Sequence, residues 1–216
     1  MIKPNNQTKN FQEEEHNKEY AESIQSLGLF LLPILAVFPF YVTEKVDPTS
    51  VYYIVYSIYI VGSFIFLKFN RRKLHEIGLT VENAFQSIYM ALALVAGFGI
   101  ARFIETDMQI VQNLSIQLLG EQLIYNFIFS GFGQEILFRG VMFFSIWKWK
   151  GLNTGLIVSS VLFGAIHITH SIRYVFVTAL FGAYWGYVAS KTKNIIGPII
   201  AHGLFNFLFS FFLVII

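Results

Sequence analysis

Apolar runs, most of them close to twenty residues long, alternate along the chain with short clusters of charge. They lie near residues 23 to 43, 48 to 67, 83 to 104, 122 to 147, 153 to 172, 174 to 190 and 194 to 216. A helix needs about 20 residues to cross a hydrocarbon core of ~30 Å. The pattern therefore predicts an all-α fold, a polytopic membrane helix bundle of about seven transmembrane helices. The sixth run is the shortest, and Arg173 marks a tight junction with the fifth, which leaves six spans plus a re-entrant segment open. Residues 1 to 22 are polar, carry the acidic run Glu13, Glu14, Glu15, and lack the apolar core of a cleaved signal peptide. They are expected to form a cytoplasmic arm, partly disordered or loosely helical, ahead of one transmembrane domain over 23–216.

Composition narrows the classes. The 216 residues are 55% hydrophobic and 13% charged, with a mean hydropathy of +0.59. A water-soluble domain of this size could not cover that much apolar surface. A net charge of +2 with no basic stripe argues against nucleic acid as a partner. Cysteine is absent, so disulfides, thiolate nucleophiles and cysteine metal cages are excluded. Gly182 and Gly186 form a small-xxx-small pair that lets helices approach closely. Gly197 and Pro198 open the last span, where proline costs little.

Lys and Arg set the expected orientation. With the N-terminus inside, the inner segments hold Lys3, Lys9 and Lys18, then Lys68, Arg71, Arg72 and Lys73, then Lys148 and Lys150, then Lys191 and Lys193. The outer segments hold little beyond Lys45 and Arg173. This bias matches the positive-inside pattern and predicts a multi-pass cell-membrane protein with a cytoplasmic N-terminus and an external C-terminus.

Against this apolar background several polar side chains stand out. Glu135 and Arg139 lie four apart in the fourth span, on one helical face, where each would be costly alone and the two are expected to pair. The fifth span carries Phe163 and His167 one turn apart, with His170 nearer the end as an interfacial or supporting residue. The seventh carries His202 and Asn206 at the same spacing. Any one of these could be a packing residue satisfied by a neighbouring helix. Three spans each bringing polar groups to intermediate depth point instead to a shared site.

The motifs Gln134-Glu135-Ile136-Leu137-Phe138-Arg139, Phe163 to His167 and His202 to Asn206 resemble the CAAX-protease and bacteriocin-processing (CPBP, Abi) family of intramembrane proteases. That family's pattern is EExxxR, then FxxxH, then HxxxN, on separate helices. The resemblance covers about residues 120 to 210. It implies an intramembrane endopeptidase that cleaves a membrane-associated peptide or protein with activated water. In its terms the first glutamate and His167 activate the water, His202 and Asn206 stabilise the oxyanion, and Arg139 orients Glu135.

One position departs from the pattern, because Gln134 stands where the family has its first glutamate. An amide can position water but cannot take its proton. Three readings stay open: a glutamate replaced in this chain, a natural variant with Glu135 as base, and an inactive scaffold. The alternative function is accordingly a non-catalytic scaffold or regulator of another membrane protein. A small transporter is disfavoured, because the sequence shows no internal repeat. No cofactor is expected. Zinc stays open because two histidines and a carboxylate can fill three positions of a catalytic site, although the HExxH spacing is missing.

The loop charges generate a direct test. Reporters fused near residue 72 should read as cytoplasmic and those fused after residue 216 as external, and the opposite readings would overturn the orientation.

Overall fold

A computed structural model describes residues 6–43, 47–105, 109–110, 115–169 and 171–213. Among these, seven helices account for nearly everything: α1 (Asn6–Val42), α2 (Pro48–Phe69), α3 (Ala84–Glu105), α4 (Ile116–Lys150), α5 (Leu152–Ala165), α6 (Ile172–Thr192) and α7 (Ile196–Phe211). Short antiparallel pairing of Gln109–Ile110 with Phe212–Leu213 ties the α3–α4 connection to the end of α7. Three stretches are long and apolar enough to cross a membrane alone, Asn10–Val37, Ser50–Phe69 and Ile116–Lys150; Ala84–Ile100, Leu152–Ala165 and Ile196–Ser210 are shorter apolar helices.

The described part of the N-terminal arm is helical from Asn6 and runs without a break into the first span. Its 37 residues extend about 55 Å, well beyond the thickness of a hydrocarbon core. No glycine or proline interrupts residues 5 to 27, and Gln, Glu and Lys there are good helix formers. The fifth span is shorter than its hydropathy suggests. α5 ends at Ala165 and residues 166–169 turn, so α5 covers about 21 Å and does not cross a full core by itself. His170 lies outside the described residues, as do Lys3, Lys45 and residues 214–216.

α4 is the central post of the bundle. Every residue from Gly133 to Ile146 is buried. The main apolar cluster gathers around it, with Phe138 meeting Phe30 of α1, Tyr59 of α2 and Phe163 of α5 edge-on at 5.7, 6.1 and 5.4 Å between ring centroids. α7 enters beside α3 through a fitted contact, since a Cβ on Gly197 would lie 2.2 Å from the Ser87 backbone. Buried Asn194 caps this entry. Its Oδ1 accepts from the Ile196 N–H at 2.7 Å, and its amide donates to the Glu82 carbonyl at 2.8 Å.

At the other end of α4 an ion network clamps three elements. Buried Glu22 of α1 takes the Arg72 guanidinium through Nε at 3.0 Å and Nη2 at 2.8 Å. Arg72 Nη1 reaches Glu76 at 2.9 Å, and Lys148 at the end of α4 lies 3.8 Å from the same carboxylate. Burial alone would raise the Glu76 carboxyl, but the Lys73 N–H, Arg72 and Lys148 together hold it below the usual carboxylate range. A depressed carboxyl stabilises the fold above its unfolded value, and that contribution disappears as pH falls through the folded one. Thermal unfolding in detergent should show stability falling once pH drops below the ordinary carboxylate range, with a smaller fall in Glu76→Gln. Arg72→Gln should cost roughly 2 kcal/mol at neutral pH by stranding Glu22, somewhat less than a fully buried pair because Arg72 is partly exposed.

Candidate active site

The site is assembled on α4, which does not keep α-helical spacing throughout. Ile124–Phe132 and Ile136–Phe143 are π-helical, with Gly133–Glu135 a short α-helical link between them. Such wide segments gather at functional positions. Gln134 and Glu135 sit on the link, at 1% and 0% exposure.

Glu135 is the hub. Its Oε1 accepts from Arg139 Nη1 at 3.1 Å and from His202 Nδ1 at 2.8 Å, so α7 is joined to α4 inside the core. The guanidinium carbon of Arg139 lies 3.9 Å from the Phe163 ring centroid, a desolvated cation–π contact of about 2 kcal/mol. Space for it depends on Gly182, where a Cβ would come within 3.1 Å of Arg139 Nη2 and of the Ser160 backbone. Trp185 stacks on the His202 ring at 5.1 Å and donates to the Ala91 carbonyl at 3.4 Å, fixing the imidazole plane.

The remaining predicted residues join this hub in different ways. Gln134 Nε2 and Asn206 Nδ2 both donate to Ser130 Oγ, at 3.2 and 2.9 Å. Ser130 was not singled out from the sequence, although it precedes Gln134 by four residues, the spacing that pairs Glu135 with Arg139. His167 sits on the turn after α5 rather than within a helix, half-buried, and its Nδ1–H donates to the Phe163 carbonyl at 2.8 Å. In the neutral ring that places the lone pair on Nε2. Its link to the hub is Phe163, whose ring lies 5.2 Å from His167 and 5.5 Å from His202. Three buried polar atoms of the hub have no hydrogen-bond partner among the described residues: Gln134 Oε1, Glu135 Oε2 and Arg139 Nη2.

Beside His167 lies an apolar cleft of about 220 Å³ between α1, α2 and the α5 turn. Its walls include Pro33, Tyr56, Tyr59, Ile166 and Ile168, and the Tyr59 hydroxyl is buried without a partner among the described residues.

Comparison with known proteins finds a resemblance for part of the chain. Residues 116–208 match the model described as type II CAAX prenyl endopeptidase Rce1-like. A curated relative, "Putative membrane peptidase YdiL" of Bacillus subtilis (strain 168), is 28% identical over 139 residues, covering 61% of this chain and 55% of that protein. The chain thus spans about half the length of the curated relative it matches. No solved structure matches it.

The donor set of the site bears on zinc. Two histidines and a carboxylate suit the metal in kind. Among the described residues, however, no group of three His, Asp or Glu side chains gathers to hold an ion. The residues as arranged do not fit a zinc centre.

Removing one member of the ion pair should be far worse than removing both. Arg139→Gln leaves a buried carboxylate with only His202 and should cost about 3–5 kcal/mol, whereas combining it with Glu135→Gln should recover a substantial part. Thermal unfolding of the four proteins in detergent, the original chain, the two single variants and the double, measures the coupling, and additive losses would contradict the pairing.

Proposed function

We propose that this chain is an intramembrane endopeptidase that hydrolyses a membrane-associated peptide or protein by attack of activated water. One observation carries the reading. Glu135 is held by groups from two helices through a single oxygen, while its Oε2 and the Oε1 of Gln134, the preceding residue, are buried without partners among the described residues. A carboxylate oxygen can take a proton from a water and an amide oxygen can accept a hydrogen bond that orients one.

Peptide hydrolysis needs a base for the water, donors for the developing oxyanion and a proton for the departing amine. In this chain Glu135 Oε2 takes the water's proton and then passes it to the departing amine, while Arg139 neutralises the carboxylate and keeps it oriented. His202 holds the other carboxylate oxygen through its Nδ1–H. Asn206 moves its amide from Ser130 to the oxyanion. His167, half-buried on the turn after α5, shares the water's proton through Nε2. The cleft takes an apolar stretch of substrate, and the buried Tyr59 hydroxyl supplies a hydrogen bond to its backbone. No metal takes part. The partners are the bilayer and the membrane-associated substrate.

A second reading has its own observation. Gln134 cannot accept a proton, which favours a non-catalytic scaffold that binds a membrane protein through the same cleft.

Purified protein in proteoliposomes, incubated with a library of membrane peptides and a chelator, separates the readings. Cleavage should persist with chelator and fall by roughly 10²–10⁴-fold in Glu135→Gln. Gln134→Glu should raise the rate, since it adds a carboxylate beside the reacting water. If neither form cleaves any peptide while the chain retains a membrane partner, the scaffold reading replaces the enzyme.

A further inference from the structure

A hydrolase consumes one water for each bond it cuts, yet the hub is sealed. Gln134, Glu135, Arg139 and His202 are each 3% exposed or less. The polar side chains that lead away from them are therefore informative.

Along α4, Gln122, Asn126, Ser130 and Gln134 recur every four residues. In a plain α-helix such a row drifts around the axis. Passing through Ile124–Phe132 in π form, where each residue turns the chain less, offsets that drift and keeps the row against α7. Across the seam α7 supplies Asn206 and Ser210 at the same spacing. The hydrogen bonds connect end to end. Asn126 Nδ2 donates to Gln122 Oε1 at 3.0 Å and to Ser210 Oγ at 3.3 Å, Ser210 Oγ donates to the Asn206 carbonyl at 2.9 Å, and Asn206 Nδ2 donates to Ser130 Oγ at 2.9 Å. Gln134 Nε2 completes the row at Ser130.

We propose that this α4–α7 seam is the route by which water reaches the hub, entering at the end of the bundle where α4 begins and α7 finishes. The inference rests on the hydrolase reading and adds a path to it. Helix adhesion alone accounts for the two cross-helix bonds, Asn126 to Ser210 and Asn206 to Ser130. It does not account for a row that runs from half-exposed Gln122 and Ser210 to a partnerless Gln134 Oε1 and Glu135 Oε2. Buried polar atoms without protein partners are the ones that take water, and a water moving along the seam finds a donor or acceptor at every helical turn. The apolar cleft beside His167 is thereby left to the substrate, so the two reactants arrive by separate routes.

The chain has no cysteine, so single thiols can be read without background. Ser130→Cys and Ser210→Cys, with Ser159→Cys as a buried serine on α5 satisfied within its own helix, are treated in proteoliposomes with a small membrane-impermeant thiol reagent from each side. Thermal unfolding confirms that each variant folds, and Asn126→Cys reads the same segment if Ser130→Cys does not. Both row thiols should react from the same side, an order of magnitude faster than Ser159→Cys. Adding Asn126→Leu should slow Ser130→Cys while leaving Ser210→Cys unchanged. Reaction of Ser130→Cys as slow as that of Ser159→Cys, or from the opposite side, overturns the route. Labelling needs no turnover, so an active peptidase with an unreactive seam sinks this inference alone. A reactive seam in a chain that cleaves nothing sinks the peptidase reading and leaves the water path standing.

Discussion

The charge pair Glu135–Arg139 sits within the core of a bundle that must also satisfy lipid, and the arrangement of the other helices follows from its needs. On insertion scales each such charge costs roughly 2.5–3.5 kcal/mol at the centre of a span, so leaving either exposed to acyl chains would threaten insertion of α4. Pairing within one helix removes part of the cost. The rest is offset from outside: His202 of α7 donates to the same carboxylate oxygen, and the Phe163 ring of α5 lies beneath the guanidinium. Gly182 of α6 withholds a side chain where Arg139 needs room.

α4 therefore has to be central. A helix that carries both charges, Gln134, Ser130 and Asn126 can meet lipid on little of its surface, and its middle is buried on every side. The helices around it can then be short. α5 stops well before the length of a full span and turns, which places His167 on the turn instead of holding it inside a helix. The clamp of Glu22, Arg72, Glu76 and Lys148 fixes the far end of α4 against α1, so the long N-terminal helix is coupled mechanically to the post that carries the site.

Much of this was legible in the sequence because membrane burial makes polar residues conspicuous. Glu135 and Arg139, or His202 and Asn206, cannot be neutral choices among leucines and phenylalanines, and their i, i+4 spacing already places each pair on one face. Ser130 escaped notice because a serine satisfied by its own helix is common in such spans, and only its two amide donors reveal another role. The end of α5 escaped because Ile166 and Ile168 continue the apolar run, with no glycine or proline to signal a stop. In the N-terminal arm the acidic run drew attention to charge, while the signal that mattered was the unbroken series of helix formers leading into the span. The π segments of α4 leave no mark in composition at all. They are a property of how the central helix packs.

Charge balance also explains why glutamine at position 134 suits a stable fold. With Gln134, the carboxylate of Glu135 and the guanidinium of Arg139 cancel. A second carboxylate one residue away would give the core a net negative charge, because Arg139 is the one cation whose contact with the hub is direct among the described residues. Balance would then require a proton on His202 or on one of the carboxylates. A shared proton of that kind is what acid–base chemistry uses, and it is costly in a low-dielectric interior. Position 134 thus sets a choice between a hub that rests neutral, with Glu135 alone able to take a proton, and one that holds an extra ionisable group at the expense of stability.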